Sequence, residues 1–242
     1  MKKAVLSVGL VVLLMCTLAI GAAAQTVSVG VDRWFATAEI EEEGLSAEAS
    51  GNLTTIKGEL RATERIGVNL SYSFGETDNF TADGYELSDS ALELGWLQFG
   101  ADYLVAPGVK VGAGYLTGAM DDRVTEGSGD YGPYAVVPMD ASYSEDVLDF
   151  SGLYLTASGE LPIAQGITLK GEVKYSPFIT GEAFDGEEVD ITFTAFDIGL
   201  GYHLGAFEIT GGYRCQSFDV DFDGYPVDFS YSGLYLGAVF RF

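Results

Sequence analysis

The residues with the most recognisable chemical spacing are four aspartates near the C-terminal end of the chain. Asp219, Asp221 and Asp223 alternate along the sequence, a glycine follows them, and Asp228 lies a few residues further on. Oxygen ligands at alternating positions before a turn-forming glycine are typical of the first half of a calcium-binding loop. The complete loop needs a glutamate where this chain has Ser230. Solvated aspartates on a hairpin are therefore the simpler interpretation, and a calcium site is the candidate alternative.

Enzymatic chemistry finds little support in the sequence. The chain has one histidine, His203, and no serine and acid accompany it in a recognisable triad or metal-binding pattern. The adjacent acids Asp121 and Asp122 belong to a strongly acidic segment, which makes them unspecific as acid–base catalysts. We therefore predict that the protein is not an enzyme and needs no cofactor, apart from Ca²⁺ or Mg²⁺ held by its acidic loops.

The elements that carry these residues are predicted to be β-strands. Apolar and polar residues alternate with a period of two between turn signals, as in half-buried strands. The alternation predicts an all-β fold of ten strands, with eight as the alternative if two weak strands are loop extensions. We also expect β-bulges at Ala195–Phe196 and within 90–105, where the alternation changes phase. The predicted strands are 26–37, 52–62, 66–75, 90–105, 109–118, 148–161, 167–179, 190–204, 207–218 and 230–242.

Short and long connections alternate between these strands. The short ones are 63–65, 106–108, 162–166 and 205–206, and the long ones lie near 38–51, 76–89, 119–147, 180–189 and 219–229. Tight turns at one end and long loops at the other are typical of an up-and-down antiparallel barrel that spans a membrane. The connection at 119–147 is long enough to fold inward or to hold a partner.

Charge is distributed unevenly along the chain, whose formal net charge is −24. The long connections contain most of the 36 acidic residues and only one basic residue, Arg123, whereas the strands and short turns are nearly balanced. Such an acidic protein repels nucleic acid, so we exclude a nucleic-acid partner. Divalent cations are the expected partners of the acidic end.

The balanced charges of the strands are predicted to face the barrel interior. A Lys or Arg on the lipid face at mid-bilayer costs about 2–4 kcal/mol, which an inward orientation avoids. Opposite charges paired across a narrow lumen would then fill most of it. We place Glu93 on this inner face as well. The predicted lumen network comprises Lys57, Glu59, Arg61, Lys110, Lys170, Glu172, Lys174, Asp197 and Arg214.

The N-terminal segment has the pattern of a secretory signal peptide. Lys2 and Lys3 precede an apolar run from Val5 to Ile20, and small residues at 22–24 offer a cleavage site before Gln25. We expect residues 1–24 to be removed after export through the inner membrane and residues 25–242 to form a single domain. The single cysteine of that domain excludes an intrachain disulfide.

The final nine residues end on an aromatic strand that resembles a known signal. Leu234, Leu236, Ala238, Phe240 and Phe242 alternate with other residues up to the last position. This pattern resembles the C-terminal strand of small bacterial outer-membrane β-barrel proteins, a porin-like or surface-barrel class. The resemblance implies that the barrel lies in the outer membrane with both termini periplasmic. It further implies contacts with the bilayer, with outer-leaflet glycolipid and with the barrel-assembly machinery.

Two functions agree with these patterns. The first is a structural or surface-interaction barrel with a mostly occluded, charge-paired lumen and a strongly acidic extracellular rim that binds divalent cations. The second is a narrow, cation-preferring channel for small solutes. Because small barrels fill with side chains, the patterns favour the occluded lumen.

Overall fold

The computed structural model describes residues 26–42, 45–82, 85–86, 91–123, 146–183, 188–222 and 225–242. The predicted signal peptide, Asp223 and most of the 119–147 connection lie outside these residues. Every regular element within the described residues is a β-strand. No helix among them is long and apolar enough to cross a membrane.

Within the described ranges, ten long strands and two very short ones follow one another. The long strands confirm the predicted number and exclude the eight-stranded alternative. The strands are β1 (Thr26–Glu42), β2 (Leu45–Arg61), β3 (Ile66–Thr77), β4 (Thr81–Ala82), β5 (Tyr85–Glu86), β6 (Ala91–Ala106), β7 (Val109–Arg123), β8 (Asp146–Ala164), β9 (Ile167–Ala183), β10 (Glu188–Leu204), β11 (Phe207–Phe222) and β12 (Tyr225–Arg241).

The long strands form a closed antiparallel barrel. Each pairs with its sequence neighbours among the long strands, and β1 pairs with both β2 and β12. The backbone N–H of Phe242 donates to the carbonyl of Val27, and that of Val27 donates back to Phe242, at 3.0 Å each. Closure leaves no long sheet edge unpaired, which a bilayer requires because it offers no water to unpaired backbone groups.

Tight turns join the strands at one end of the barrel, which we call the short-turn end. Gly108, Gly166 and Gly205 occupy these turns with φ of 76°, 75° and 68°. Glycine adopts this left-handed conformation without steric cost, so it allows a two-residue reversal between strands. The opposite end carries the long connections, and we call it the long-loop end.

The strands extend further at the long-loop end than the sequence predicts. β1 runs to Glu42 instead of residue 37, and β12 begins at Tyr225 instead of residue 230. A 17-residue strand tilted by about 40° spans roughly 43 Å along the barrel axis, whereas the apolar band of an outer-membrane barrel is about 25 Å tall. Several residues of each such strand therefore project beyond the membrane.

A small hairpin lies against the long-loop end. β4 and β5 pair with each other, and β4 adds to β2 through Ala47 and Glu48. Phe80, just before β4, is only 3% exposed and belongs to the same apolar cluster as the barrel interior. The connection after β3 thus contributes a side chain to the core.

Candidate functional site: the barrel interior and its acidic end

The barrel interior is divided into two halves with different chemistry. The inward residues of β10 illustrate this, since Val189, Ile191 and Phe193 are buried and apolar whereas Asp197 and His203 follow towards the short-turn end. β11 shows the same order, with apolar residues near the long-loop end and charged ones near the short turns. The sequence predicts a charge-paired lumen, and only half of it is charged.

Aromatic and aliphatic side chains pack together in the half nearer the long-loop end, and we call this cluster the aromatic plug. Its larger members are Trp34, Leu53, Trp96, Leu116, Met120, Phe150, Ile179, Ile191, Phe193, Phe218 and Tyr231, all at most 3% exposed. The Phe218 ring centroid lies 5.0 Å from those of Phe150 and Phe193 and 6.1 Å from that of Trp96. These spacings are those of packed aromatic pairs.

The plug reaches from one wall of the barrel to the other. Trp96 lies on β6 and Phe218 on β11, and the strand order separates these two strands by five steps in either direction. The Tyr231 hydroxyl on β12 likewise contacts the Met120 sulfur on β7 at 3.8 Å. Side chains from opposite strands therefore touch across the lumen at this level.

Arg214 is the centre of the charged half. Its guanidinium donates to Asp32 at 3.1 Å and to Asp197 at 3.0 Å, and it lies over the rings of Trp34 and Tyr235, at 5.6 Å and 4.7 Å from their centroids. The Tyr235 hydroxyl donates to Asp197 at 2.9 Å. Contacts of this kind satisfy a buried cation by hydrogen bonds, opposite charge and aromatic faces together. Arg214 therefore joins the charged half to the plug.

The remaining basic side chains of the interior also contact carboxylates. Lys57 donates to Asp32 at 3.0 Å, and Lys110 donates to Glu59 at 2.7 Å. Arg61 lies 3.5 Å from the same Glu59. The Lys110–Glu59 contact crosses the lumen, because Lys110 lies on β7 and Glu59 on β2, three strands apart in the barrel order. It ties distant parts of the wall to each other.

Three further ion pairs lie in the charged half. Lys174 lies 3.1 Å from Glu172 and donates to Gln98 at 2.8 Å. Lys170 pairs with Glu208, to which Arg241 also donates at 2.7 Å. All nine residues of the predicted network thus face the lumen and make polar contacts there.

Several residues of the interior differ from their predicted positions or roles. Asp32, which the sequence analysis does not single out, is fully buried between two cations. The alternation of the strand could have indicated its inward orientation, since Asp32 lies between the outward-facing Val31 and Arg33. Glu93, predicted to face inward, is exposed and faces outward, because the inward residues of β6 are the even-numbered ones. Gln98, the partner of Lys174, lies 76 residues away in the chain, and no sequence pattern connects the two residues.

His203 contacts two polar side chains near the short-turn end. Its Nε2 lies 3.0 Å from the Thr168 hydroxyl, and its Nδ1 lies 3.8 Å from Glu208. Glu208 is shared with Lys170 and Arg241, and Thr168 is 7% exposed. The arrangement has no exposed nucleophile and joins His203 to the charged network.

Three aspartates of the candidate calcium site, Asp219, Asp221 and Asp228, lie on the outer side of the wall at the long-loop end. Asp219 and Asp228 are directly opposite each other on β11 and β12, and the Ser217 hydroxyl is 2.8 Å from the first and 3.1 Å from the second. Asp221 faces outward two residues further along β11, and Asp223 is outside the described residues. Within the described part of the chain, no three metal-ligating side chains converge on one point.

These aspartates belong to a larger ring of outward carboxylates, which we call the acidic collar. Its described members are Glu39, Glu41, Glu48, Glu76, Glu93, Asp149, Glu182, Glu188, Asp190, Asp219, Asp221 and Asp228. Many are directly opposed by another member, the pairs being Glu39–Glu48, Glu41–Asp228, Asp219–Asp228, Asp190–Asp221, Glu182–Glu188, Glu182–Asp149 and Glu76–Glu93. Like charges directly opposite each other destabilise a sheet.

Repulsion within the collar is evident at Asp228. Partial burial raises the pKa of this carboxyl above its ordinary value, and the neighbouring charges of Asp219, Glu41 and Glu39 raise it further against a lowering hydrogen bond from Ser217. A cation near this group would relieve both the desolvation and the repulsion. The collar is thus the place where many outward carboxylates of the described residues lie close to one another.

An apolar belt surrounds the wall between the collar and the short-turn end. It includes Phe35, Leu155, Ile198, Leu234 and Leu236, whose side chains are 43–64% exposed. Exposed apolar residues at every second position around a closed barrel are those expected to contact lipid. The collar therefore begins where the belt ends.

Comparison with known proteins agrees with this architecture. Residues 8–203 match the family described as outer membrane protein beta-barrel domain. Among solved structures, the chain is similar to the outer membrane protease OmpT from Escherichia coli, with 10% identity, a TM-score of 0.54 and coverage of 91% of this chain and 98% of that one.

Two other solved structures are similar at lower scores. An outer membrane channel from Pseudomonas putida F1 has 11% identity and a TM-score of 0.47, covering 91% of this chain and 96% of its own. Ail, the attachment invasion locus protein of Yersinia pestis, has 13% identity and a TM-score of 0.36, covering 89% and 99%. No curated protein matches. Identities of this size show the fold alone, but the family match spans most of the chain. The protein is therefore a member of the outer membrane β-barrel family and resides in the outer membrane.

Proposed function

We propose that the protein is a non-conducting outer-membrane barrel with a structural or surface-interaction role. The observation that carries this proposal is the aromatic plug, in which Trp96 and Phe218 meet from opposite walls at 6.1 Å. A passage for ions would require these rings to separate and would expose apolar side chains to water. A barrel that is closed in this way does not conduct ions through its lumen.

We propose further that the long-loop end faces the outside of the cell and both termini face the periplasm. Outer-membrane barrels have short periplasmic turns and longer external connections, and the turns at Gly108, Gly166 and Gly205 match the first kind. The acidic collar would then lie level with the phosphate-bearing head groups of the outer leaflet.

Divalent cations are the proposed partners of the collar. Carboxylate oxygens are the ligands that Ca²⁺ and Mg²⁺ prefer, and directly opposed carboxylates such as Asp219 and Asp228 gain most from a shared cation. A cation bound there can also contact a phosphate of the surrounding glycolipid. We therefore propose that Ca²⁺ or Mg²⁺ bridges the collar to the membrane surface.

No catalytic role is proposed for His203. Its neighbour Glu208 is already engaged by two cations, and its neighbour Thr168 is buried. A nucleophile has to reach the reacting atom of a substrate, which this hydroxyl does not do. The contacts support a structural role within the charged half.

Conductance measurements test the proposed closure. The refolded protein should give no stable current steps in planar bilayers across several voltages, whereas a Trp96→Ala/Phe218→Ala variant should give steps, since it removes the two rings that meet across the lumen. Cation-selective steps from the unaltered protein would overturn the occluded barrel in favour of the narrow channel. Insertion is verified for both proteins by protease protection in vesicles of the same composition.

Two measurements test the orientation and the cation role. A Glu41→Cys variant in a Cys215→Ser background should react with a membrane-impermeant maleimide on intact cells, and absence of labelling there but not after lysis would reverse the orientation. Titration with CaCl₂ should raise the melting temperature of the unaltered protein in vesicles that contain phosphorylated glycolipid. An equal rise with NaCl at matched ionic strength would mean that general screening, and not cation binding, relieves the repulsion.

A further inference from the structure

The charged half of the lumen contains a cavity of about 260 Å³. It is bounded by inward side chains of the charged network and opens at the short-turn end, where Glu160 and Arg241 are partly exposed. This volume is close to the lower limit of cavities that bind small molecules. On the side of the plug its lining includes Thr55, Gln98 and Gln216, each two residues from a plug member on the same strand.

One carboxylate in the cavity wall differs from all the others. Asp102 is 8% exposed, and its Oδ1 has no hydrogen-bond partner among the described residues. Its Oδ2 receives a single long hydrogen bond of 3.4 Å from the Asn69 amide. No basic side chain in the described part of the barrel lies within ion-pair distance of it. By contrast, the other inward carboxylates of this half each have a cation within 4.0 Å, namely Asp32, Glu59, Glu160, Glu172, Asp197 and Glu208.

The neighbouring strands leave space and backbone close to this carboxylate. Asp102 is opposed by Gly67 on β3 and by Gly112 on β7. A Cβ on Gly67 would lie 2.7 Å from Asp102 Oδ2, so any larger residue there would displace the carboxylate. The nearest ammonium on β7, that of Lys110, is directed instead to Glu59 at 2.7 Å.

Two other unpaired oxygens line the same cavity. The Gln216 side-chain carbonyl and the Thr210 hydroxyl are at least nine-tenths buried and have no partner among the described residues. Buried polar atoms are almost always hydrogen-bonded to protein, water or ligand. All three groups can accept a hydrogen bond, so a complementary molecule carries N–H or O–H donors.

We propose that this cavity binds a small solute that carries a primary ammonium group, with the ammonium donating to Asp102. A buried carboxylate without a counter-ion favours a cation, and neutral acceptors elsewhere in the same cavity wall favour a solute with N–H donors. A divalent metal ion fits less well, because no three metal-ligating side chains converge in the described residues. The solute reaches the cavity from the short-turn end. This site is separate from the acidic collar and does not depend on the role proposed for it.

Calorimetric titration of the refolded protein with n-butylammonium tests the proposal. The unaltered protein should bind n-butylammonium, and the neutral analogue n-butanol should bind at least about tenfold more weakly, because it lacks the charge-assisted hydrogen bond. The Asp102→Asn variant should lose at least about tenfold in affinity for the ammonium. The control is Glu160→Gln, which removes the same charge from the mouth of the same cavity and should change the affinity less than about threefold.

Three results would overturn the proposal. They are no binding to the unaltered protein, equal binding of butanol, and equal losses in Asp102→Asn and Glu160→Gln. If Asp102→Asn does not refold, Gly67→Ala is used instead. The Cβ of the new alanine displaces the Asp102 carboxylate without removing the charge of that carboxylate. Retained affinity in a folded Gly67→Ala protein would contradict the assignment of Asp102 as the anchor.

Discussion

The aromatic plug makes a quantitative prediction at Phe218. Its ring contacts those of Phe150, Phe193 and Trp96 at 5.0–6.1 Å and is fully buried. Truncating a buried phenylalanine to alanine costs about 3–5 kcal/mol, since it removes apolar contacts and leaves a cavity. The three aromatic pairs, each worth about 0.5–1.5 kcal/mol beyond buried area, place Phe218→Ala at the upper end of that range.

The assay is urea unfolding in phospholipid vesicles, followed by tryptophan fluorescence. The chain has two tryptophans, Trp34 and Trp96, and both lie in the plug, so the signal reports directly on its packing. Phe218→Ala should lower the free energy of unfolding by about 4–5 kcal/mol. At about 2–4 °C per kcal/mol for domains of this size, the melting temperature should fall by roughly 8–20 °C.

The matched control is Phe196→Ala, which removes the same side chain from the outer face of β10. Phe196 is 40% exposed and contacts lipid, so its loss creates no enclosed cavity and should cost less than half as much. Equal losses from the two variants, or a loss below about 1 kcal/mol for Phe218→Ala, would refute a tightly packed plug.

Three further predictions follow from the charges and the predicted cleavage site. Asp32→Asn and Arg214→Met should each destabilise the barrel by about 3–5 kcal/mol, since each leaves the buried charge of its partner uncompensated. The double variant should lose clearly less stability than the sum of the two single losses. Additive losses in this double-mutant cycle would contradict the pairing. Because the pKa of Asp228 is raised in the folded protein, the free energy of unfolding should fall as pH rises from about 3.8 through the pKa of the folded state. Asp228→Asn should therefore raise the melting temperature at pH 7 and leave it unchanged at pH 3. Mass spectrometry of the protein purified from membranes should give a chain that begins at Gln25, and a mass that retains the first 24 residues would exclude the predicted cleavage.

The strand number could be predicted from sequence because the membrane imposes a simple contrast on each strand. Residues such as Phe196, Ile198 and Leu200 face lipid, and those between them face the lumen. The charged network followed from the same contrast, since a charge facing hydrocarbon is costly. Asp32 shows the limit of this reasoning. The alternation of the strand identifies the face on which Asp32 lies, but it does not identify the two cations that Asp32 contacts.

The plug could not be predicted in this way because the contrast reverses along the strand. On the same β10, the outward residues Glu188 and Asp190 are acidic, and the inward residues Val189 and Ile191 are apolar. In the sequence, the resulting change of phase predicts a bulge at Ala195–Phe196, and that prediction is wrong. Both residues are in continuous register with β9 and β11, and the register shift with β9 lies between Ile191 and Phe193.

The reversal has a physical cause, which is a change of solvent outside the wall. Beside the apolar belt the wall faces lipid, so apolar residues point outward and charges pair within the lumen. Beyond the belt the wall faces water, and the sheet adopts the pattern of a soluble barrel, with an apolar core inside and carboxylates outside. The hydrophobic effect can stabilise a core only where the alternative environment is water. The plug and the acidic collar are therefore the inner and outer faces of the same projecting wall. Removal of the collar's charges should leave the plug packed. Loss of the plug, by contrast, would leave that wall without an apolar core.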